Sequence, residues 1–438
     1  MTRKNLAAVG AVAVVAATCL TACSSSSSDG GSDATAGGTV TYMTWESNPT
    51  NAAFDKTMAT FTSTSGVTVK REAAPNADYA QKLASMILSK KAPDFFWCTP
   101  AQAQNLAAEG LLYDWSKKLD AGTDLKAEDF SPGSLDLWKT PKGALAGIPT
   151  LANTYGFFYN ADTFKKAGIE VPKIGWTWDD LFSDIKKLKE KDPATTPLVA
   201  QWPLLDATEG VSAYSVANGG EPLVDSFVTT TKVSADGTIH EGAQRFVDAI
   251  AAKQMTSPDY DATNAMAAFS NGKIPLMFGG QWLNQMISPN KPKFDWGYAP
   301  WPVGTAKNVQ PIETNGVCSP ASLKNPDATW KAIAYLETTG FNESMEEVPV
   351  APIAYTPGTE GYYKGLEAQG GAAAASIEAT AKYELAATDK FNTSFLDPWA
   401  VKEADIEKTS WNPMLLGKKS VDQGIDETVA GIQGLIGK

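Results

Sequence analysis

Residues 39–98 read TVTYMTWESNPTNAAFDKTMATFTSTSGVTVKREAAPNADYAQKLASMILSKKAPDFFWC, and their punctuation decides the fold class. Val40 to Thr44 alternates as a short strand. Thr50 to Ser63 places Phe54, Met58 and Phe61 at helical spacing, Val67 to Lys70 is a second strand, and Ala80 to Ser89 a second helix. Asp94 to Trp97, entered from Pro93, is a third strand. Strand, helix, strand, helix, strand marks an α/β sheet with crossover helices. Ligands of such sheets bind beyond the carboxyl ends of the strands, which turns Trp45, Glu46 and Trp97 to Gln102 toward a cleft.

The middle of the chain repeats the style. Ala146-Gly147-Ile148-Pro149 leads into an aromatic strand region, Thr150 to Asn160, with Tyr155, Phe157, Phe158 and Tyr159. Trp178 to about Lys191 reads as an amphipathic helix burying Leu181, Phe182, Ile185 and Leu188, capped by Thr177 or Asp179. Ala262 to Ser270 reads as a helix ended by Asn271-Gly272, Ile274 to Phe278 as a strand, and Gly279-Gly280 as a tight turn before Gln281 and Trp282. Gly370 to Ala387 reads as an Ala-rich helix. Roughly 400 residues from Thr39 onward exceed what one core usually serves, so two α/β lobes are expected.

The first forty residues speak of location. Arg3 and Lys4, an apolar run from Leu6 to Cys19, and Leu20-Thr21-Ala22-Cys23 have the order of a secretory signal, too short to span a membrane as a helix. The last four residues resemble a bacterial lipobox, which implies cleavage of 1–22 and lipid, palmitate included, on Cys23. Residues 23–38, rich in Ser, Gly, Asp and Ala, read as a flexible tether to the outer face of the cell membrane.

The composition, 43% hydrophobic and 20% charged, is that of an ordinary soluble globule. Removing Arg3 and Lys4 from the 37 basic residues leaves 35 against 49 acidic, a formal charge of −14. That disfavours nucleic acid and anionic lipid as partners. Of the four cysteines, Cys19 leaves with the leader, Cys23 is the expected lipid site, and Cys98 and Cys318 remain. Outside the cell they can bridge or stay as two buried thiols, and a pair alone leaves both open.

A series of blocks carries a resemblance that no one of them would. In order these are Ala92-Pro93-Asp94-Phe95-Phe96-Trp97, Ala108-Glu109-Gly110-Leu111-Leu112, Leu145 to Asn160, Lys165-Lys166-Ala167-Gly168-Ile169, Trp178-Asp179-Asp180-Leu181, Ala268 to Lys273 with Met277 to Trp282, and Gly417 to Ile425. So ordered, the chain resembles the family 1 extracellular solute-binding proteins of ABC importers, the group of the maltose- and maltodextrin-binding proteins. The resemblance implies a type II periplasmic-binding-protein fold, two lobes closing on a ligand by a hinge. It places the N-terminal lobe at 39–150 and 302–332 and the C-terminal lobe at 151–301 and 333–438. The crossings are expected near Pro149 to Asn153, near Tyr298 to Pro302, and within Ala328 to Leu336. It further implies a monomer that captures a sugar or oligosaccharide, delivers it to membrane permease subunits, catalyses nothing and holds no cofactor.

Sugars offer apolar C–H faces and a rim of hydroxyls, so their sites need aromatic plates beside carboxylates and amides. Thirteen tryptophans is a high count. Trp45, Trp97, Trp202 and Trp282 stand at strand ends or loops, whereas Trp115, Trp138 and Trp330 sit in amphipathic patterns and read as core. Carried over from the family, Trp97 and Trp282 match sugar-stacking positions, Glu46 an acidic hydroxyl acceptor, and Asp78 an acidic site position. Asn153 stands where the maltose-type pattern has a carboxylate, a departure that implies a different sugar. Tyr155 shares its side of the strand. Gln201 and Trp202 fall in the second-lobe loop, and Trp399 in the region of a last aromatic plate.

Two other classes of function compete with this one. No Gly-x-Ser-x-Gly elbow partners the lone His240, which reads as lying in a turn, and neither a phosphate-binding loop nor a Cys/His metal spacing is present. A secreted glycoside hydrolase stays open only because 49 acidic residues offer many carboxylate pairs. The fold could instead hold a cationic solute such as a polyamine. An anion clamp is disfavoured, since only Arg71 and Arg245 remain after the leader.

Overall fold

The computed structural model describes residues 38–74, 78–201, 203–393, 396–397 and 399–437. The leader, the Cys23 lipobox, the tether and Trp202 lie outside the described residues. Ten strands run in chain order: β1 Thr39–Met43, β2 Thr68–Arg71, β3 Phe95–Cys98, β4 Ile148–Asn153, β5 Tyr155–Asn160, β6 Leu198–Val199, β7 Leu276–Gly280, β8 Trp296–Pro300, β9 Val309–Cys318 and β10 Asp389–Asn392. They form two sheets within one compact unit, ordered β10-β9-β3-β1-β2 with β4 on β9, and β6-β7-β5-β8.

In the first sheet β1 pairs in parallel with β2 and β3, joined by the helices Thr50–Ser65 and Tyr79–Leu88, the crossover pattern expected from the opening stretch. Gly66 ends the first helix at φ 73°, a left-handed conformation that favours glycine. β9 runs antiparallel to both β3 and β4. In the second sheet β6 and β7 are parallel, and β5 lies antiparallel between β7 and β8. Thr177 caps the helix Trp178–Lys191 by accepting from the Asp180 backbone N–H, while Asp180 returns a bond to the Thr177 N–H.

Tryptophans are buried beside each sheet. Trp97, Trp115, Trp138 and Trp330 are buried in the first, and Trp178, Trp301 and Trp411 in the second. Cys98 and Cys318 form a disulfide with Cα atoms 6.1 Å apart, tying β3 to β9.

The structure differs from the expected local packing in three places. In the stretch 341–369, Phe341 meets Phe54 edge-on at 5.5 Å, the helix Phe341–Glu347 lies against the helix Thr50–Ser65, and the helix Glu360–Gln369 packs on Phe341–Glu347. The expected crossing at Ala328 to Leu336 is likewise a helix on the first core, with Trp330 against Trp115 at 5.4 Å. Gly370 and Gly371, at φ 67° and 85°, lead into the helix Gly371–Ala386, which packs on β8. His240 is not in a turn. Asp236 caps the helix Gly237–Ala251 by accepting from the N–H groups of Thr238 and Ile239, and the His240 ring lies 3.0 Å from Asp422. Third, Gly279 and Gly280 end β7 rather than turn. A Cβ on Gly280 would sit 1.9 Å from the Trp282 ring, so glycine serves close approach there.

Candidate functional site

The carboxyl edges of the two sheets meet at Thr154, the single residue between β4 and β5. Because β1 and β3 run parallel, Trp45 and Glu46 emerge at the same edge as the end of β3. β9 pairs Gly316 with Cys98, so Glu313, three residues earlier on this antiparallel strand, projects about 10 Å beyond that edge. In the second sheet the carboxyl ends of β6 and β7 and the start of β5 coincide, which gathers Gln201, Gln281, Trp282 and Tyr155.

Around Thr154 these side chains interlock. The Thr154 N–H and hydroxyl both donate to Gln281 Oε1, at 2.8 and 3.1 Å. Gln281 Nε2 lies 3.5 Å from Asn153 Oδ1. Tyr155 is buried, its ring edge-on to the half-buried Trp282 at 5.2 Å and parallel to Phe278 at 5.9 Å. Glu313 faces Asn153 across the β4–β9 ladder, and the side chains of Tyr155 and Asn153 both act on its carboxyl. Burial pushes the Glu313 carboxyl up, and those two side chains only partly oppose it. Burial and the neighbouring Glu313 together raise the Tyr155 hydroxyl well above its usual value.

Beyond β1 a second group forms. Thr44 Oγ1 donates to Asn51 Oδ1 at 2.8 Å and Asn51 Nδ2 donates to the Glu46 carbonyl at 2.6 Å, fixing the backbone that presents Glu46. Burial pushes the Glu46 carboxyl up to about 7, against a hydrogen bond from Trp45. Trp45 is half-buried and edge-on to Tyr79 at 5.5 Å. Tyr79 donates to the Trp97 carbonyl at 2.6 Å, so β3 shapes this end through its backbone.

The Trp97 side chain does not reach the cleft. Its ring is fully buried against Phe54 at 5.6 Å and Phe341 at 6.1 Å, because residue 97 points to the helix-covered face of β3. A fully enclosed indole has no face for a ligand, which corrects the stacking role expected of it. Asp78 is exposed just before the helix Tyr79–Leu88. Trp399, 7% exposed, packs into the second core before the helix Ala400–Ile406. Gln201 is half-buried and spends its amide on the Phe278 carbonyl at 3.0 Å.

Sequence reading missed Gln281 and Glu313. Gln281 lies inside a block already singled out, directly after Gly280. Glu313 carried a weaker signal, a charged residue inside the otherwise apolar and neutral strand Val309–Cys318. A further set of carboxyls, Asp206, Glu209, Glu403 and Glu407, is raised by burial, three of them also by one another's charge. Among the described residues no group of three or more His, Cys, Asp or Glu side chains could hold a metal ion. No described helix is long and apolar enough to cross a membrane. A cavity of about 680 Å³ lined by Val199, Ile250, Met255 and Leu415 includes none of the candidate residues.

Residues 45–343 match the family model described as bacterial extracellular solute-binding protein. The chain belongs to that family. Among curated relatives, the sn-glycerol-3-phosphate-binding periplasmic protein UgpB of Brucella abortus is 27% identical over 157 residues, 32% of this solute-binding protein and 36% of that one. The chain spans about half the length of the first curated relatives it matches. Among solved structures, the sugar-binding protein MalE of Xanthomonas citri superposes with a TM-score of 0.74 at 16% identity, over 91% of this chain and 97% of that one. The ABC substrate-binding protein Lmo0181 of Listeria monocytogenes, solved in complex with cycloalternan, superposes at 0.73 and 19% identity, over 91% and 99%. These likenesses establish the fold as the two-lobed one expected.

Proposed function

We propose that this solute-binding protein captures a saccharide at the junction of its two sheets and delivers it to the permease of an ABC importer. The observation that carries the reading is the arrangement around Thr154: an indole laid on a side-chain-free Gly280, with Asn153, Tyr155, Gln281 and Glu313 beside it. Such a plate takes the apolar face of a pyranose, and the carboxylate and amides take its hydroxyls. The sugar-binding protein MalE and the complex with cycloalternan, both of this fold, support the same class.

The likeness to the glycerol-phosphate protein does not extend to the charges here. A phosphate needs cations, yet Arg71 is held bidentately by Asp55 at 2.8 and 2.7 Å, and Arg245 is held by Asp179 at 2.6 Å. The carboxyls of Glu46 and Glu313 face the junction with no basic partner among the described residues. These same carboxyls favour a cationic solute as the second reading.

The first lobe is proposed to comprise 38–153 and 309–369 and the second 155–300 and 371–437, with β10 completing the edge of the first sheet. Lipid on Cys23 anchors the chain at the outer face of the membrane, and binding shifts the hinge equilibrium because ligand touches both lobes only when they close. Binding rather than turnover is the proposed activity.

A thermal-shift screen against mono- and oligosaccharides, spermidine and glycerol 3-phosphate tests this. Ligand at 100 times its dissociation constant stabilises by about 2.7 kcal/mol, a midpoint rise of several degrees. A saccharide-only response is expected, with the sugar recovered intact after overnight incubation. A response confined to spermidine overturns the ligand class, and recovered hydrolysis products overturn the non-catalytic role.

A further inference from the structure

We propose that Glu313 is the polar anchor of the ligand, a contact residue that also sets the aromatic plate, and this rests on the saccharide reading above. Its position is built from both sheets. β9 carries it beyond the carboxyl edge of β3, directly opposite Asn153 of the first sheet, while its other neighbour, Tyr155, opens the second sheet. One side chain thereby has a neighbour on each side of the Thr154 crossing.

The carboxylate is only half used. Oε2 is buried and has no hydrogen-bond partner among the described residues, and no Lys or Arg side chain acts on the group. A buried acceptor without a donor is unfavourable, more so when it carries charge, so such an atom is uncommon in a finished interior. At a junction lined by Trp282 and Gln281 the missing donor is supplied from outside the chain. A saccharide hydroxyl fits, because it can donate to a carboxylate oxygen or accept from a protonated carboxyl.

The same contact explains the plate. Tyr155 acts on Glu313 with its hydroxyl and sets its ring edge against Trp282 at 5.2 Å. A ligand hydroxyl on Oε2 and a ligand face on Trp282 are therefore registered by one tyrosine. Glu313 is in that sense both a contact and a positioning residue.

The test uses the purified chain and its Glu313→Gln, Tyr155→Phe and Trp282→Ala variants, titrated with maltose, maltotriose, cellobiose and xylobiose, with spermidine as the cationic arm. Glu313→Gln keeps the shape and removes the charge, and is expected to weaken the best saccharide about tenfold or more while leaving the unliganded melting temperature unchanged or higher. Tyr155→Phe should weaken it by a smaller factor. A monodeoxy analogue lacking the anchored hydroxyl should lose affinity for the unmodified chain and lose no more for Glu313→Gln, a coupling that a purely structural role would not produce. If Glu313→Gln and Tyr155→Phe bind at full strength while Trp282→Ala does not, the anchor is wrong and the saccharide reading survives. If the unmodified chain ignores every saccharide and binds spermidine, both fall together. Should Glu313→Gln fail to fold, the coupling measured with Tyr155→Phe decides: undiminished discrimination against the deoxy analogue overturns the anchor.

Discussion

A missing side chain, that of Gly280, shapes the site as much as any present. The Trp282 ring occupies the volume a Cβ would need, so Gly280→Ala must swing the indole off the strand end. We expect this substitution to weaken saccharide binding about tenfold or more, as loss of a stacking plate worth 1–3 kcal/mol would, with little change in far-ultraviolet circular dichroism. Calorimetric titration checks it, and unchanged affinity would remove Trp282 from the site. Trp97 behaves oppositely. Its ring is enclosed by Tyr42, Phe54 and Phe341, and Trp97→Ala should lower stability by about 3–5 kcal/mol through the cavity it leaves. Denaturant titration measures that loss. Affinity per folded molecule should persist, and a folded Trp97→Ala that binds nothing would restore the stacking role.

At the scale of elements the opening stretch was legible almost to the residue. Its expected strands and helices all form, because apolar period and Gly or Pro punctuation agree with burial there: the helix expected at Thr50 to Ser63 runs Thr50–Ser65, and that at Ala80 to Ser89 runs Tyr79–Leu88. What the pattern hid was partnership. The helix Phe341–Glu347 is amphipathic toward either sheet, and only the contact of Phe341 with Phe54 shows which one it joins. Trp97 and Trp282 were equally aromatic and equally placed at strand ends, yet the side of the strand separated core from cleft. Glu313 was legible only as a lone charge in an otherwise neutral strand, since its meaning comes from Tyr155 and Asn153, far away in sequence. The Cys98–Cys318 pair, left open by sequence, joins β3 to β9 across a separation of 220 residues. Closing so long a loop restrains the unfolded chain, so Cys98→Ala with Cys318→Ala should lower unfolding free energy by about 2–5 kcal/mol. Urea titration with and without reductant measures this, and identical curves would mean the bridge contributes nothing.

The whole molecule holds an unusual number of carboxyls away from water, and they make its stability depend on pH in one direction. Burial raises Glu46 to about 7 and Glu384 to about 8, and raises Asp206, Glu209, Glu313, Glu337, Glu403 and Glu407 as well. Glu337 is the extreme case, fully buried with neither carboxylate oxygen hydrogen-bonded. For an acid whose folded value lies above its unfolded one, the folded chain holds the proton longer. The stability this confers is complete below the unfolded value, 4.5 for glutamate, and is lost as pH rises through the folded value. Asp55, Asp114, Asp225 and Asp236 are shifted down instead, so their contribution is lost only in stronger acid. Lys390, lowered to about 8 by burial, opposes the trend only above that pH. Between pH 5 and pH 8 the raised acids therefore prevail, and the melting temperature should fall by about 5 °C or more. Glu46→Gln and Glu384→Gln should each flatten the slope, since a neutral amide in the same place does not titrate. Melts at unit steps across that window are the measurement. A melting temperature that climbs from pH 5 to pH 8 would mean that water or a cation reaches these carboxyls, and the anionic junction would then already be neutralised before any ligand arrives.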